Sequence, residues 1–370
     1  MNFDYNEEQQ LLADSVRRFL AKDYEFEKRR KMVAGEGWSP QVWAQLAEMG
    51  VTGIPFSTDY GGFGGGAVDL MGVMEAFGDA LLVEPYLPTI LAAQLVARAG
   101  NEAQKKAILP RVVEGKLRLA FAHTEKGARY NNARVQTKAT RSGSGWELSG
   151  EKLVALGAPL AETLVVSART DKGVSLFLVD QKTAGVTLKP YRTVDETKAA
   201  DVTLKGVKVG ADALLGAEDG AVPVIEETID FATALVCSEA VGAMKFACDT
   251  TLEYLKTRKQ FGVPIGTFQA LQHRIVDMYI SYEQARSMAC LAASKLDSSS
   301  DARERARAVS AAKIKIADAC RHVSQEAIQL HGGMGMSEEL KVSHTFRRLT
   351  MIAQQFGDAD HHLARFAALS

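Results

Sequence analysis

Leu11, Leu12, Val16, Phe19 and Leu20 fall three to four residues apart behind an acidic start, and Val42, Leu46 and Met49 repeat that spacing before Gly50. Apolar positions at this period make one face of an amphipathic helix, so residues 4 to about 117 are predicted to be mainly helical. Between about 118 and 216 the pattern changes to short runs rich in Val, Leu and Thr: Glu162 to Ala168, Val174 to Val179, and Val202 to Leu204. Turn residues such as Arg141-Ser142-Gly143-Ser144-Gly145 bound them, which predicts a compact β domain. From Ala221 the helical period returns over about 222–257, 268–296, 302–330 and 338–353, and Ser298-Ser299-Ser300-Asp301 supplies a loop and the N-cap of the third of these helices. The predicted architecture is α+β in three parts: an all-α domain over 1–117, a β domain over 118–216 and a helical bundle over 217–370.

The chain of 370 residues is 46% apolar and 24% charged, ordinary for a globular protein and long enough for two or three domains. Lys+Arg of 44 against Asp+Glu of 45 leaves a net charge of -1, so no global basic field draws it to nucleic acid or anionic lipid. Cys237, Cys248, Cys290 and Cys320 form no Cys-x-x-Cys, which suggests neither a metal site nor a disulfide framework; they read as small buried residues in a reducing cytoplasm. The start, Met1 to Glu8, lacks the basic and apolar regions of an export signal, and charged residues interrupt every long apolar stretch, so no membrane span is expected. Five glycines lie in Phe56 to Gly66, but no Lys-Ser/Thr follows as a phosphate-cradling loop requires.

Candidate chemistry sits in two spaced motifs, Arg258-Lys259-Gln260-Phe261-Gly262-Val263-Pro264-Ile265-Gly266-Thr267-Phe268-Gln269 and Gln329-Leu330-His331-Gly332-Gly333-Met334-Gly335. Arg258 at a helix end can give a bidentate donor to phosphate oxygens, and Gly332 with Gly333 allows close backbone approach. Taken singly, an arginine there caps a helix and the glycines stop one. Together the motifs resemble the cofactor signature of the acyl-CoA dehydrogenase family, and the resemblance covers essentially the whole chain. It implies that family's fold: a helical N-terminal domain, a middle β-barrel and a C-terminal four-helix bundle. It also implies FAD, with Arg258, Phe261, Ile265, Gln269, Gln329, Leu330, Gly332 and Gly333 contacting its adenine half across a subunit interface, hence a dimer or tetramer.

A third segment, Phe121-Ala122-His123-Thr124-Glu125-Lys126-Gly127-Ala128-Arg129-Tyr130, stands where the family has Thr-Glu-Pro-Gly-Ala-Gly-Ser-Asp, so the resemblance places Phe121, His123 and Thr124 at the flavin ring and Arg129 and Tyr130 at the substrate. Gly150-Glu151-Lys152 keeps the next landmark, but the following Trp-Ile-Thr-Asn reads Val154-Ala155-Leu156-Gly157, and Leu156 has no hydroxyl to direct at the flavin. The family's glutamate base falls on Phe356, and its alternative location falls on Ala232. Neither side chain can accept a proton, although a positioned base is worth about 10² to 10⁴ in rate. Asp358 and Asp360, then Glu226, Glu227, Asp230 and Glu239, are the nearby acids; Asp230 matches a family residue that meets the pantetheine arm of the acyl-CoA substrate. His361-His362 finds no further ligand at metal-binding spacing and reads as a solvated tail.

An adenine-side signature without a base is similar to the small subunits of heteromeric acyl-CoA dehydrogenases. Phe356-Gly357-Asp358-Ala359-Asp360-His361-His362-Leu363 and Leu255 to Gly262 resemble those of pimeloyl-CoA dehydrogenases. That likeness implies a larger homologous subunit and electron-transfer flavoprotein as partners. Two alternatives stand beside it: a self-sufficient homo-oligomer using another acid, Asp358 foremost, and a structural partner that holds no flavin alone.

Overall fold

A computed structural model describes residues 5–370; of the acidic start, Met1 to Asp4 lie outside the described residues. Helices α1 (Glu7–Asp23), α2 (Phe26–Ala34), α3 (Pro40–Glu48), α4 (Ala67–Ala80), α5 (Tyr86–Ala99) and α6 (Glu102–Val113) come first. Strands β1 (Leu119–Ala122), β2 (Lys138–Ser142), β3 (Gly145–Leu156), β4 (Thr163–Arg169), β5 (Val174–Asp180), β6 (Val186–Arg192), β7 (Lys198–Val209) and β8 (Leu214–Leu215) follow. The chain ends in α7 (Ala221–Thr257), a short hairpin of β9 (Lys259–Gln260) and β10 (Val263–Pro264), and α8 (Gln269–Ser298), α9 (Ala302–His331), α10 (Lys341–Gln354) and α11 (Ala359–Ala368). The predicted order of helices, strands and helices is observed.

These elements gather into two compact units, one of residues up to Lys31, Gly66–Leu82 and Thr233–Ser370, the other of Met32–Gly65 and Val83–Ala232. In the helical unit, α1 starts at a capping box between Asn6 and Gln9 and buries Ala13, Val16 and Leu20. Helix α9 starts at Asp301, whose carboxylate accepts the Arg303 N–H, as the sequence predicted. Its inward face, Val309, Ala312, Ile316, Cys320, Val323 and Ala327, recurs every three to four residues, and one charged residue, Lys313, stands fully buried in that row.

The second unit, the β unit, holds α3, α5 and α6 and an eight-stranded sheet in the order β6-β7-β3-β2-β4-β5-β8, with β1 pairing β4 in parallel. Its core holds Trp146, Leu148, Leu164, Val166, Phe177, Val179, Val202 and Val207. Alternation along β3 sends Trp146 and Leu148 inward, and the register against β7 slips between Lys152 and Ala155. The glycines of the Phe56–Gly66 loop fold that loop onto itself: a Cβ at Gly62 would lie 2.2 Å from the Phe56 carbonyl oxygen. Close backbone return explains that glycine without a phosphate.

Two expectations are corrected. The stretch with His361 and His362 is helix α11, and His362 is buried, because an amphipathic turn at the chain end finds an apolar groove against α9. The second concerns apolar length: α7 is long and apolar enough to cross a membrane by composition alone, with mean hydropathy 1.4 in its best window, and 89% of that window is buried within the protein. A core helix shows this character because its apolar surface meets protein on all sides.

Candidate flavin-site residues

The adenine-side motifs both lie in the helical unit. The Arg258 N–H closes the end of α7 on the Tyr254 carbonyl at 2.8 Å, and the chain then turns sharply through Phe261 (φ 54°) and Gly262 (φ 81°). Two consecutive left-handed residues make the tight turn of a two-residue hairpin, which holds the Phe261 ring out into solvent, 91% exposed. The Ile265 N–H returns to the Arg258 carbonyl at 2.8 Å, so the hairpin is anchored at its base, and Gln269 opens α8 on the surface.

The second motif ends α9. Gly332 (φ 61°) breaks the helix, and a Cβ built on Gly332 or Gly333 would meet nothing within 4 Å. His331 is buried and stacks on Tyr254 with ring centroids 4.4 Å apart, while its Nδ1–H donates to the Ala327 carbonyl at 2.8 Å. That stack brings the ends of α7 and α9, and with them both motifs, together. Gln329 is exposed and Leu330 is buried beneath it. Among the described residues Arg258 makes no ion pair, so an exposed cation and an open stretch of glycine backbone share one surface. A dinucleotide pyrophosphate needs that combination, and the residues fit FAD.

The ring-side residues lie in the β unit and divide by direction. Thr124 is exposed and its carbonyl accepts the Leu153 N–H at 2.8 Å, whereas Glu125 turns inward and is 6% exposed. There the Glu125 carboxylate receives the Lys152 ammonium at 2.7 Å and the N–H groups of Gln136 and Thr137 at 2.6 and 3.0 Å. Lys152 has no exposed surface and also donates to the Ser167 hydroxyl at 2.9 Å. An ammonium can only donate, so Ser167 gives its own proton to His123 Nδ1 at 2.9 Å, and His123 Nε2–H donates to Asn132 at 3.3 Å. The relay keeps His123 neutral and stacked on Phe121, rings 8° from parallel.

Burial pushes the His123 imidazole down to about 4, with the Lys152 charge adding to it, and burial likewise pushes the Lys152 ammonium down to about 8 against the pull of Glu125. Burial works to raise the Glu125 carboxyl, but Lys152 and Thr137 outweigh it and hold it below its ordinary value, so the two remain an ion pair at neutral pH. Arg129 (φ 48°) is exposed beside Tyr130, its guanidinium 6.0 Å from that ring, and Leu156 is half-buried.

Three of the candidate acids already have structural work. Glu239 is buried and bidentate with Arg348 at 2.6 and 2.7 Å, Glu227 pairs with Arg98 at 2.6 Å, and Asp358 caps α11 through the His361 N–H at 2.8 Å. Asp230 and Ala232 are buried in α7. Phe356 occupies the turn before α11 in a left-handed conformation (φ 61°). Sequence reading passed over Lys313 and took His362 for part of a solvated tail, yet both hydrogen-bond to that turn; a lysine inside an apolar helical row was the signal for the first.

His362 supplies a pH prediction. Burial, reinforced by Lys313, His361 and Arg365, pushes it down to about 3, while its ordinary value is 6.5. A depressed histidine means that the unfolded chain binds more protons than the folded one as pH falls below about 6.5, so stability drops by about 1.4 kcal/mol per pH unit for each such group. His123 acts in the same direction in its own unit. Denaturant titrations at pH 7.5 and 5.5 are expected to show this loss, and His362→Gln should reduce it by about one proton's worth.

Comparison with known proteins accords with the geometry. Family models match the N-terminal domain of acyl-CoA dehydrogenase over residues 6–116, the middle domain over 120–207 and the C-terminal domain over 220–368. The chain belongs to the acyl-CoA dehydrogenase family, FAD-dependent oxidoreductases acting on CH–CH bonds. It is 32% identical to acyl-CoA dehydrogenase FadE12 of Mycobacterium tuberculosis over 95% of this chain and 93% of that one. Among solved structures it resembles the Tcur3481-Tcur3483 steroid ACAD, 30% identical with a TM-score of 0.89, covering 98% of this chain and 97% of that one. The ChsE4-ChsE5 complex from Mycobacterium tuberculosis is 26% identical with a TM-score of 0.90, covering 100% of this chain and 98% of that one.

Proposed function

We propose that this chain is the base-lacking subunit of a heteromeric acyl-CoA dehydrogenase, paired with a larger homologous subunit that carries the glutamate. One observation carries the reading: the proton acceptor's position holds Phe356, while Glu125, Glu239, Glu227 and Asp358 are each committed to a partner or a cap. Two of the solved relatives are named as pairs of unlike components, which supports a two-subunit assembly. Bound FAD supplies the hydride acceptor. The chain's own part is to hold its adenine half through Arg258, Phe261, Ile265, Gln269, Gln329 and the open glycine backbone, and to keep Thr124 at the surface on a rigid β scaffold.

The substrate in this reading is an acyl-CoA or dicarboxylyl-CoA, pimeloyl-CoA foremost, oxidised to its trans-2-enoyl thioester. Arg129, exposed at the edge of the β unit, would supply the cation for an ω-carboxylate and Asp230 would meet the pantetheine arm. Electrons leave to electron-transfer flavoprotein, and the assembly is a cytoplasmic dimer or tetramer.

Purification alone and with the larger subunit tests this. The lone chain is expected to turn over no acyl-CoA, the mixture to form enoyl-CoA, and Arg258→Gln in this chain to lower the flavin content of the mixture. Rapid acyl-CoA oxidation by the lone chain would sink the proposal and leave the self-sufficient enzyme. A mixture that keeps its flavin and rate with Arg258→Gln would reduce this chain to a structural partner.

A further inference from the structure

The turn between α10 and α11 is held by more buried donors than a surface connection needs. Lys313, with no exposed surface, donates to the carbonyls of Ile352 at 2.9 Å, Ala353 at 3.2 Å and Gly357 at 2.7 Å, which uses all of its N–H groups. His362, 1% exposed, donates Nε2–H to the Phe356 carbonyl at 3.2 Å and turns Nδ1 toward the Ser310 hydroxyl at 3.4 Å. Asp358 caps the next helix, and a Cβ at Gly357 would lie 2.5 Å from His362 Nε2, so the turn has no room to relax.

Within this frame Phe356 keeps a left-handed backbone that an aromatic residue avoids by choice. Such strain persists only where the surroundings over-determine it, and it clusters where a side chain must be presented in one way. The Lys313 ammonium directs its hydrogen bonds at main-chain carbonyls, with the Asp358 carboxylate acting on it only through space, and burying it is costly, which a passive connection would not require.

We propose that Lys313 and His362 are positioning residues that hold residues 352–357 as a rigid platform for the side chain at 356, and that a carboxylate carried there removes the α-proton without a second subunit's base. This rests on the family reading of position 356. The missing chemistry is then the loss of one side chain and not of the framework beneath it. In a chain with a carboxylate at 356, the α C–H proton would go to that carboxylate, the C–H electron pair would form the Cα=Cβ bond, and bound FAD would supply the two-electron acceptor for the β-hydride.

Two readouts on the full chain test it. With 4-fluorophenylalanine incorporated, the 356 signal, identified by its loss in Phe356→Leu, is expected to be a single narrow line. It should broaden or split in Lys313→Met and in His362→Leu, and recover in His362→Gln, whose amide can still donate. Second, Phe356→Glu, purified alone, loaded with FAD and mixed anaerobically with straight-chain and ω-carboxyl acyl-CoAs, is expected to bleach its flavin at least about 10²-fold faster than the parent chain. Adding Lys313→Met should then lower kcat and leave KM in place. A yellow Phe356→Glu protein that does not bleach overturns the gained chemistry and leaves the FAD reading intact. A colourless one counts against flavin binding by the lone chain, and the fluorine line alone then judges the platform. A 356 line as narrow in Lys313→Met and His362→Leu as in the parent overturns it.

Discussion

Lys152→Met is expected to destabilise the β unit by about 3–5 kcal/mol, the cost of removing one partner of a buried ion pair. The cost comes from what remains. Glu125 is 6% exposed and would keep its charge with only the Gln136 and Thr137 N–H groups to answer it, while Ser167 would lose the donor that sets the direction of its own proton. His123 would then be free to change tautomer, so the ring stacked on Phe121 beside exposed Thr124 would lose its fixed orientation. Urea unfolding measures the loss. The double variant Lys152→Met with Glu125→Leu should be less unstable than the sum of the two single ones, since no lone buried charge is left. Strict additivity would mean that the two side chains do not act as a pair.

Gly242→Ala should be about as damaging to the helical unit, for a steric reason. A Cβ on Gly242 would stand 1.8 Å from the Glu75 carbonyl oxygen, and one on Gly78 would stand 1.8 Å from the Glu239 carbonyl oxygen. The backbones of α4 and α7 therefore touch at two reciprocal points, and a methyl group at either must push whole helices apart. Overpacking costs about 1–3 kcal/mol when side chains can give way, and here the obstacle is main chain, so about 3 kcal/mol is expected. Gly333→Ala is the contrasting case. Its added methyl meets nothing within 4 Å, so stability should hold to roughly 0.5 kcal/mol while flavin content in the assembled enzyme falls. Thermal unfolding and flavin absorbance on the two variants separate a glycine needed for packing from one needed for approach. Equal loss of stability in both would refute that division.

The site was legible only in part. Arg258, Gly332 and Gly333 could be read from their places at helix ends, whereas Phe261, Gln269 and Gln329 were picked out by their resemblance to the family's motifs. Thr124 and Glu125 looked equivalent as neighbours, yet past the end of β1 one faces solvent and the other a lysine twenty-seven positions on, a difference set by the distant partner and not by local spacing. Asp358 and Glu239 looked like spare acids, and their commitments to a helix cap and to Arg348 arise from contacts that no local spacing encodes.

What the amino-acid order determined by itself was the succession of helical, β and helical segments and the places of the two motifs, since apolar periodicity and turn residues are local properties of the chain; that Phe356 stands at the family's base position came from resemblance. The tertiary structure alone decided that His362 is buried and that Lys313 spends its charge on the carbonyls of a turn forty residues away. It also decided that Tyr254 and His331 bring the two motifs together. Burial and hydrogen-bond partnership between distant segments exist only once the chain has closed on itself, and those two quantities determine what each of these side chains can do.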